Sequence, residues 1–276
     1  MKKKSVISLI SYDAEYLPGS ISTYYNYVDE IILGLDSNRR TWSGNPFSFD
    51  ESKLWSELDK LDGDKKIQIV EGDFYKSQNA IENDTYERNF LKSHVTHDWV
   101  FSFDADEYLL NPKPFFYDFC NIAEDYYDKV DICMTWATPF KVVDKQVLVI
   151  ADDDGTPFYS ENQGIATCKN NTYTWARWTN LSAGGAKRLQ SPLVAVHWSL
   201  CREEEAVKQK INNNGHSDLA ATDSFFNLWK NVNLSNYTSY RNFKTSGLGP
   251  QWPRLVAVPI EHMEAYYNQH IQKAYR

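Results

Sequence analysis

Asp98-Trp99-Val100-Phe101-Ser102-Phe103-Asp104-Ala105-Asp106-Glu107 is the stretch on which the fold turns. Its centre, Trp99 to Phe103, is almost wholly apolar and aromatic, as a strand buried on both faces would be, and it ends abruptly in carboxylates. The Asp-x-Asp spacing alone says little, because a chain of 276 residues with 22 aspartates produces about two such pairs by chance. Two others occur, Asp62/Asp64 and Asp152/Asp154. Asp62/Asp64 falls in a turn between a helix and a strand, where solvated acids are ordinary. Asp104/Asp106 differs in its delivery, since a buried strand carries both acids into a turn.

Toward the amino terminus, short apolar runs alternate with helical patterns, which is the signature of a parallel sheet with crossover helices. Val6, Ile7, Leu9 and Ile10 make a first strand. Pro18 and Gly19 then break the chain, and Ser20 is placed to cap a helix with Ile21, Tyr24, Tyr25 and Val28 on one face. Strands are expected at Ile31 to Leu35 and Ile67 to Val70, with a helix between them carrying Leu54, Trp55, Leu58 and Leu61. A further helix starting near Asp84, with Glu87 in the capping-box position, is expected to bury Tyr86, Phe90, Leu91 and Val95. Asp13, Asp36, Asp73 and Asp104 then each fall within a few residues of the carboxyl end of one of four strands. Ligands bind at that edge of open parallel sheets. Solvated loops would account for one or two such acids, and account less well for four.

Beyond Leu110 the pattern changes to mixed strands, at Val130 to Trp136, Phe140 to Ala151 and Leu193 to Ser199. Helices are expected at Glu203 to Asn212 and near the end, where Ile260, Met263, Tyr267, Ile271 and Ala274 form a stripe. Asp152 to Ala186, rich in Gly, Asn, Thr and Trp, reads as loops. The fold class is therefore α/β, with a mostly parallel central sheet flanked by helices and a mixed carboxy-terminal region.

The formal net charge is -8 and the longest basic run is Lys2-Lys3-Lys4, so a nucleic-acid groove is not indicated. An acidic chain can still hold a nucleotide diphosphate when a divalent cation stands between the two. The four cysteines, Cys120, Cys133, Cys168 and Cys201, are widely spaced and read as free thiols in a reducing compartment. No secretion signal and no apolar run of about 20 residues appears, so the expected location is cytoplasmic.

Glu87-Arg88-Asn89, followed by the Asp98 to Glu107 stretch, resembles family 2 of the GT-A glycosyltransferases, in which an Arg-Asn helix leads into an apolar strand ending in Asp-x-Asp. Ser11-Tyr12-Asp13-Ala14-Glu15-Tyr16-Leu17 is similar to that family's nucleotide loop, and Asp29 to Ser37 is similar to its second strand. The likeness covers residues 5 to 110 and only scattered positions afterwards. It implies a Rossmann-like GT-A domain, with residues 1–110 as the half that binds the nucleotide-sugar and 111–276 as a continuous acceptor-side half. The implied reaction moves a sugar from a nucleotide-diphosphate donor, expected to be a uridine one, to a hydroxyl on a glycan or glycolipid.

Carried over residue by residue, the likeness places Ser11, Tyr12, Asp13, Glu15 and Asp36 around the nucleotide, Asp104 and Ala105 at the ribose or donor sugar, and Asp106 on Mn²⁺ or Mg²⁺. Arg88 would point to the same edge; its plainer reading is a surface salt bridge. His197, at the end of an apolar strand, would supply a second metal or pyrophosphate ligand, although a histidine in such a strand is more often a satisfied core residue. Lys187 and Arg188 could balance diphosphate charge. An inverting enzyme also needs a base, for which Asp153, Asp154 and Glu161 are candidates, Glu161 being favoured.

Two other classes compete. A sugar-phosphate nucleotidyltransferase would normally show a Gly-rich loop near the first strand, and Tyr12 to Leu17 contains no glycine. A non-catalytic carbohydrate-binding module is favoured by Trp175, Trp178, Trp198 and Trp252 and disfavoured by the acids. The carboxy-terminal stripe leaves homodimerisation and peripheral membrane contact open beside simple packing, which is the expectation.

Overall fold

Strand β1 (Lys4–Ile10) is buried at every position because it has a parallel partner on each edge and an apolar cluster on each face, Val6 and Ile10 in one and Ile7 and Leu9 in the other. One partner is β2 (Glu30–Asp36) and the other β4 (Trp99–Ser102), while β3 (Ile67–Gly72) extends the parallel set beyond β2. Helices α1 (Leu17–Tyr24), α2 (Glu51–Leu61) and α3 (Ala80–His94) make the connections that parallel neighbours need. All four strands end at one edge, with Asp13, Asp36, Asp73 and Asp104 at or just beyond their tips. The computed structural model describes residues 2–157, 162–182, 187–213, 215, 222–243 and 251–274.

The second half of the chain completes the same sheet. β6 (Asp131–Ala137) and β12 (Arg188–His197) form another parallel pair, and β9 (Asn162–Cys168) joins the two sets by running antiparallel to both β4 and β6. β5 (Glu107–Leu109) closes the far edge antiparallel to β12, giving the order β3-β2-β1-β4-β9-β6-β12-β5. The result is a Rossmann-like α/β fold of the GT-A kind, a large mixed sheet flanked by helices. After β5 the chain turns through α4 (Pro112–Pro114), a π-helical turn at Phe115–Phe119 and α5 (Cys120–Ala123), and it buries Phe115 and Phe116 completely.

Several expectations from the sequence are corrected. Asp152 to Ala186 is not all loop, since it supplies β9 and the hairpin of β10 (Tyr173–Trp175) and β11 (Trp178–Thr179). Asn162, Gly164 and Ala166 give β9 little strand propensity of its own; a central position with a partner on both edges decides it. Phe140 to Ala151 is two strands, β7 (Pro139–Val143) and β8 (Gln146–Ala151), reversed at Asp144 and Lys145, whose φ angles of 46° and 64° suit a two-residue hairpin turn. Helix α1 starts at Leu17 and takes Pro18 into its first turn, where a missing N–H costs nothing. Ser20 is thus inside the helix, donating its hydroxyl to the Glu107 carbonyl at 2.7 Å.

Helix α3 starts at Ala80, capped by the Asn79 side chain accepting from Ile81 N. Its buried face carries Asp84, Glu87, Arg88 and Leu91, while Tyr86 is 41% exposed. The face turned inward is the charged one, because that face meets the acidic edge of the sheet.

A second core lies beside the main sheet. β13 (Arg254–Pro259), β8 and β7 form a three-stranded sheet, against which α6 (Glu204–Asn213) and α7 (Thr222–Asn231) pack through Phe140, Val207, Ile211, Trp229 and Trp252. Trp229 Nε1 donates to the carbonyls of Phe140 and Leu200, and Lys141 Nζ donates to those of Trp229, Lys230 and Val232 at the carboxyl end of α7. α8 (Met263–Ala274) buries Tyr267 and Ile271 against Ala137, Val194 and Val196. All four cysteines are buried free thiols. No described helix is long and apolar enough to cross a membrane.

A Cβ on Gly164 of β9 would stand 2.9 Å from the Arg177 carbonyl oxygen and 3.2 Å from the Trp178 ring. Neither neighbour can withdraw without moving the β10–β11 hairpin. Gly164→Ala should therefore cost about 1–3 kcal/mol, measured as a lower denaturant midpoint with an unchanged m-value.

Candidate active site

The turn after β4 places Asp104 and Asp106 on the ligand edge of the sheet and commits each to different partners. Asp104 accepts from Arg88 Nη2 at 2.8 Å and from Arg177 Nη2. Arg88 reaches it from α3 with every donor group engaged, Nε on Asp84 and Nη1 on Ser102 Oγ. At 2% exposure it is no surface residue. Arg177 forks onto Glu107, Nη2 to Oε1 at 2.7 Å and Nη1 to Oε2 at 3.0 Å, a bidentate geometry that suits two planar groups. Burial works to raise the Asp104 carboxyl, but Arg177 and Arg88 outweigh it and hold it well below the usual carboxylate range.

Asp106 is fully buried. Its Oδ2 accepts from Arg202 and lies 3.0 Å from Lys210 Nζ, and both cations also reach Asp13 Oδ2, at 3.3 and 3.2 Å. Among the described residues its Oδ1 has no hydrogen-bond partner, and it faces His197 Nε2 at 3.8 Å. For Asp106, too, burial opposes ionisation and is outweighed, Lys210 first among its neighbours, so the carboxyl is held low. The His197 ring stacks on Trp136 with centroids 3.9 Å apart, and Trp136 Nε1 donates to Glu107 Oε1 at 2.8 Å. Burial pushes His197 down to about 4, so the ring is neutral near pH 7 and keeps a nitrogen lone pair.

These groups fit a divalent cation of the Mg²⁺ or Mn²⁺ kind, on one observation above all: a buried carboxylate oxygen with no partner, next to a neutral imidazole. Among the described residues no three His, Cys, Asp or Glu side chains converge into a complete cage. Two protein ligands suffice for such ions, which complete their shell with substrate phosphates and water.

The remaining candidates are distributed as follows. Asp13 joins the cluster. Tyr12 lies beside it, with Lys210 Nζ 6.0 Å from its ring centroid; Ser11 is half-buried, Glu15 exposed and Ala105 part of the main core. Asp36 is used by the backbone, since it accepts from the N–H groups of Asn38, Arg40 and Phe74 and so closes the ends of β2 and β3. Lys187 is exposed at the amino end of β12, ten residues from His197 along the strand. Asp154 is exposed in the turn after β8, accepting from Thr156 N, and Glu161 lies outside the described residues.

The sequence reading missed Arg177, Arg202 and Lys210, which together with Arg88 are the cations that answer the acids. Arg177 lies in a stretch taken for loop, and Lys210 on a helix read only as charged. A signal was available in the charge balance, because several carboxylates gathered at a buried edge require cations.

No protein-family model and no curated protein matches the sequence. Among solved structures the chain is similar to the 1–349 segment of S. aureus TarS, at 11% identity and TM-score 0.36, over 85% of this chain and 76% of that one. A mycobacterial protein gives 12% identity and TM-score 0.40 over 95% and 87%. UDP-glucose pyrophosphorylase complexed with UDP-glucose gives 9% and 0.32 over 100% and 99%. Likenesses at these scores leave the functional reading to the geometry of the site.

Two outcomes follow from the buried charges. Arg177→Met leaves Asp104 and Glu107 without their shared cation and should cost about 3–5 kcal/mol, readable by chemical denaturation. Glu87, whose Oε2 accepts from Trp42 Nε1, is pushed by burial from an ordinary 4.5 up to about 8. The folded protein thus keeps a proton that the unfolded chain releases, so this contribution is complete below pH 4.5 and lost as pH rises through about 8. Melting temperatures taken between about pH 5 and 8 should show Glu87→Gln losing less stability with pH than the parent. Parallel curves would mean that Glu87 is ionised in the folded state.

Proposed function

We propose that this chain is a metal-assisted glycosyltransferase that moves a sugar from a nucleoside-diphosphate donor, a uridine one in the first instance, to a hydroxyl of a glycan or glycolipid. The observation that carries this reading is the unpartnered Asp106 Oδ1 beside neutral His197. Asp106 and His197 would hold Mn²⁺ or Mg²⁺, and that ion, when bound, supports the diphosphate as a leaving group.

The chain's own groups account for the rest of the proposal. Arg202 and Lys210 come from the opposite side of Asp106 and offer donors for anionic oxygens. Tyr12 and Asp13 follow β1 at the same edge, where a base and ribose would lie. Asp104 is 24% exposed at its side chain and fixed by two arginines, so its orientation is set before any donor arrives. Asp154 and Glu161 are the candidates for the base that takes the acceptor proton.

Thermal shift with nucleoside diphosphates, with and without Mn²⁺, tests the reading. One diphosphate should raise the melting temperature only with metal, by about 2–4 °C for each kcal/mol of binding. Asp106→Asn should abolish the metal-dependent part. No shift with any nucleotide sinks the proposal. A shift with free oligosaccharide alone points to a carbohydrate-binding module, and pyrophosphate release from a nucleoside triphosphate and a sugar phosphate points to a nucleotidyltransferase.

A further inference from the structure

Lys210 Nζ bridges carboxylates from two strand ends, 3.2 Å from Asp13 Oδ2 and 3.0 Å from Asp106 Oδ2. A cation shared between two acids at the ligand edge is what a metal ion would itself provide there. Arg202 touches the same two oxygens but is held in place, because its Nε donates to the Trp198 carbonyl and its guanidinium lies over the Tyr16 ring at 4.4 Å. Lys210, whose Nζ also lies 6.0 Å from the Tyr12 ring centroid, reaches the acids on a flexible four-carbon stem from α6, which lets the ammonium shift while the helix stays in place. The helix is fixed independently of that stem, by Val207 and Ile211 in the second core and by Asn213, whose side-chain oxygen accepts from Thr41 Oγ1 and Asn45 Nδ2.

We propose that Lys210 is a displaceable internal counterion of the site. In the free protein its ammonium neutralises Asp13 and Asp106, and it moves onto the diphosphate when a nucleotide and a divalent cation enter together. This rests on the reading of the site given under Proposed function. It has two consequences of opposite sign. Lys210 opposes a divalent cation arriving alone, because both positive charges would share Asp106. Lys210 favours the nucleoside diphosphate, to which it gives a charged donor. Metal and nucleotide then bind as a coupled pair, and the site is guarded against binding metal without substrate.

The test is calorimetric titration of the full chain with MnCl₂ alone, and with uridine diphosphate at saturating Mn²⁺, for the parent, Lys210→Met and Lys210→Arg. Lys210→Met keeps the stem and removes the charge; it should bind Mn²⁺ alone about tenfold more tightly and the diphosphate about tenfold more weakly. Lys210→Arg should keep the parent's weak affinity for metal alone. If Lys210→Met does not fold, Lys210→Gln takes its place. Equal Mn²⁺ affinity in the parent and the neutral variant, with diphosphate binding intact in both, overturns the inference and leaves the functional reading standing. A fall in both affinities also overturns it and makes Lys210 a structural support. Binding of neither ligand by any form overturns the inference and the functional reading together.

Discussion

Glu107 has no contact with water, and the rest of the site depends on how its charge is answered. Arg177 answers it through two parallel hydrogen bonds and continues to Asp104, while Trp136 donates to the Oε1 that Arg177 also holds and carries His197 on its face. One carboxylate therefore sets the orientation of the candidate sugar-side acid and of the candidate metal-side histidine. An ion pair enclosed this way contributes little net stability compared with apolar packing, yet removing one member leaves a buried charge uncompensated. That asymmetry ties these groups to one another more firmly than burial alone would.

The same logic links the two cores. The main sheet presents Asp13, Asp104 and Asp106, but Arg202 and Lys210 follow β12 and belong to the segment whose apolar face packs on β7, β8 and β13. The second core positions Arg202 and Lys210, and the first positions the acids. Whatever shifts α6 on its bed of Phe140, Trp229 and Trp252 shifts the electrostatics of the ligand edge.

Most of the first hundred residues were legible because periodicity there is strong and each strand is bounded by turn residues. Val6 to Ile10 could only be a buried strand, and the four aspartates followed from where such strands end. What was not legible has a common cause: long-range context overrode local signal. β9 is a strand because it fills a gap between β4 and β6, not because Asn162 to Cys168 favours one. Tyr86 faces outward and Arg88 inward because the interior at that point is ionic, which a hydrophobic stripe cannot reveal. Asp36 stands at a strand tip, as its position suggested, and its carboxylate accepts from three backbone amides, which position alone could not reveal. Asp106 and His197 were singled out by position, and the structure brings them within 3.8 Å of each other, whereas Arg177, Arg202 and Lys210 carry no local mark.

β9 binds the two halves of the sheet, and with the late cations it imposes an order on synthesis. Asp13 and Asp106 leave the ribosome well before Arg202 and Lys210, Arg202 being 96 residues beyond Asp106. At about 5–20 residues per second the delay is roughly 5–20 s. Until β9 emerges, earlier in that interval, β4 lacks its outer neighbour, and for the whole of it Asp106 lacks Arg202 and Lys210. A nascent chain in this state exposes the outer edge of an aromatic strand, and charged groups beside such an edge disfavour its pairing with another chain.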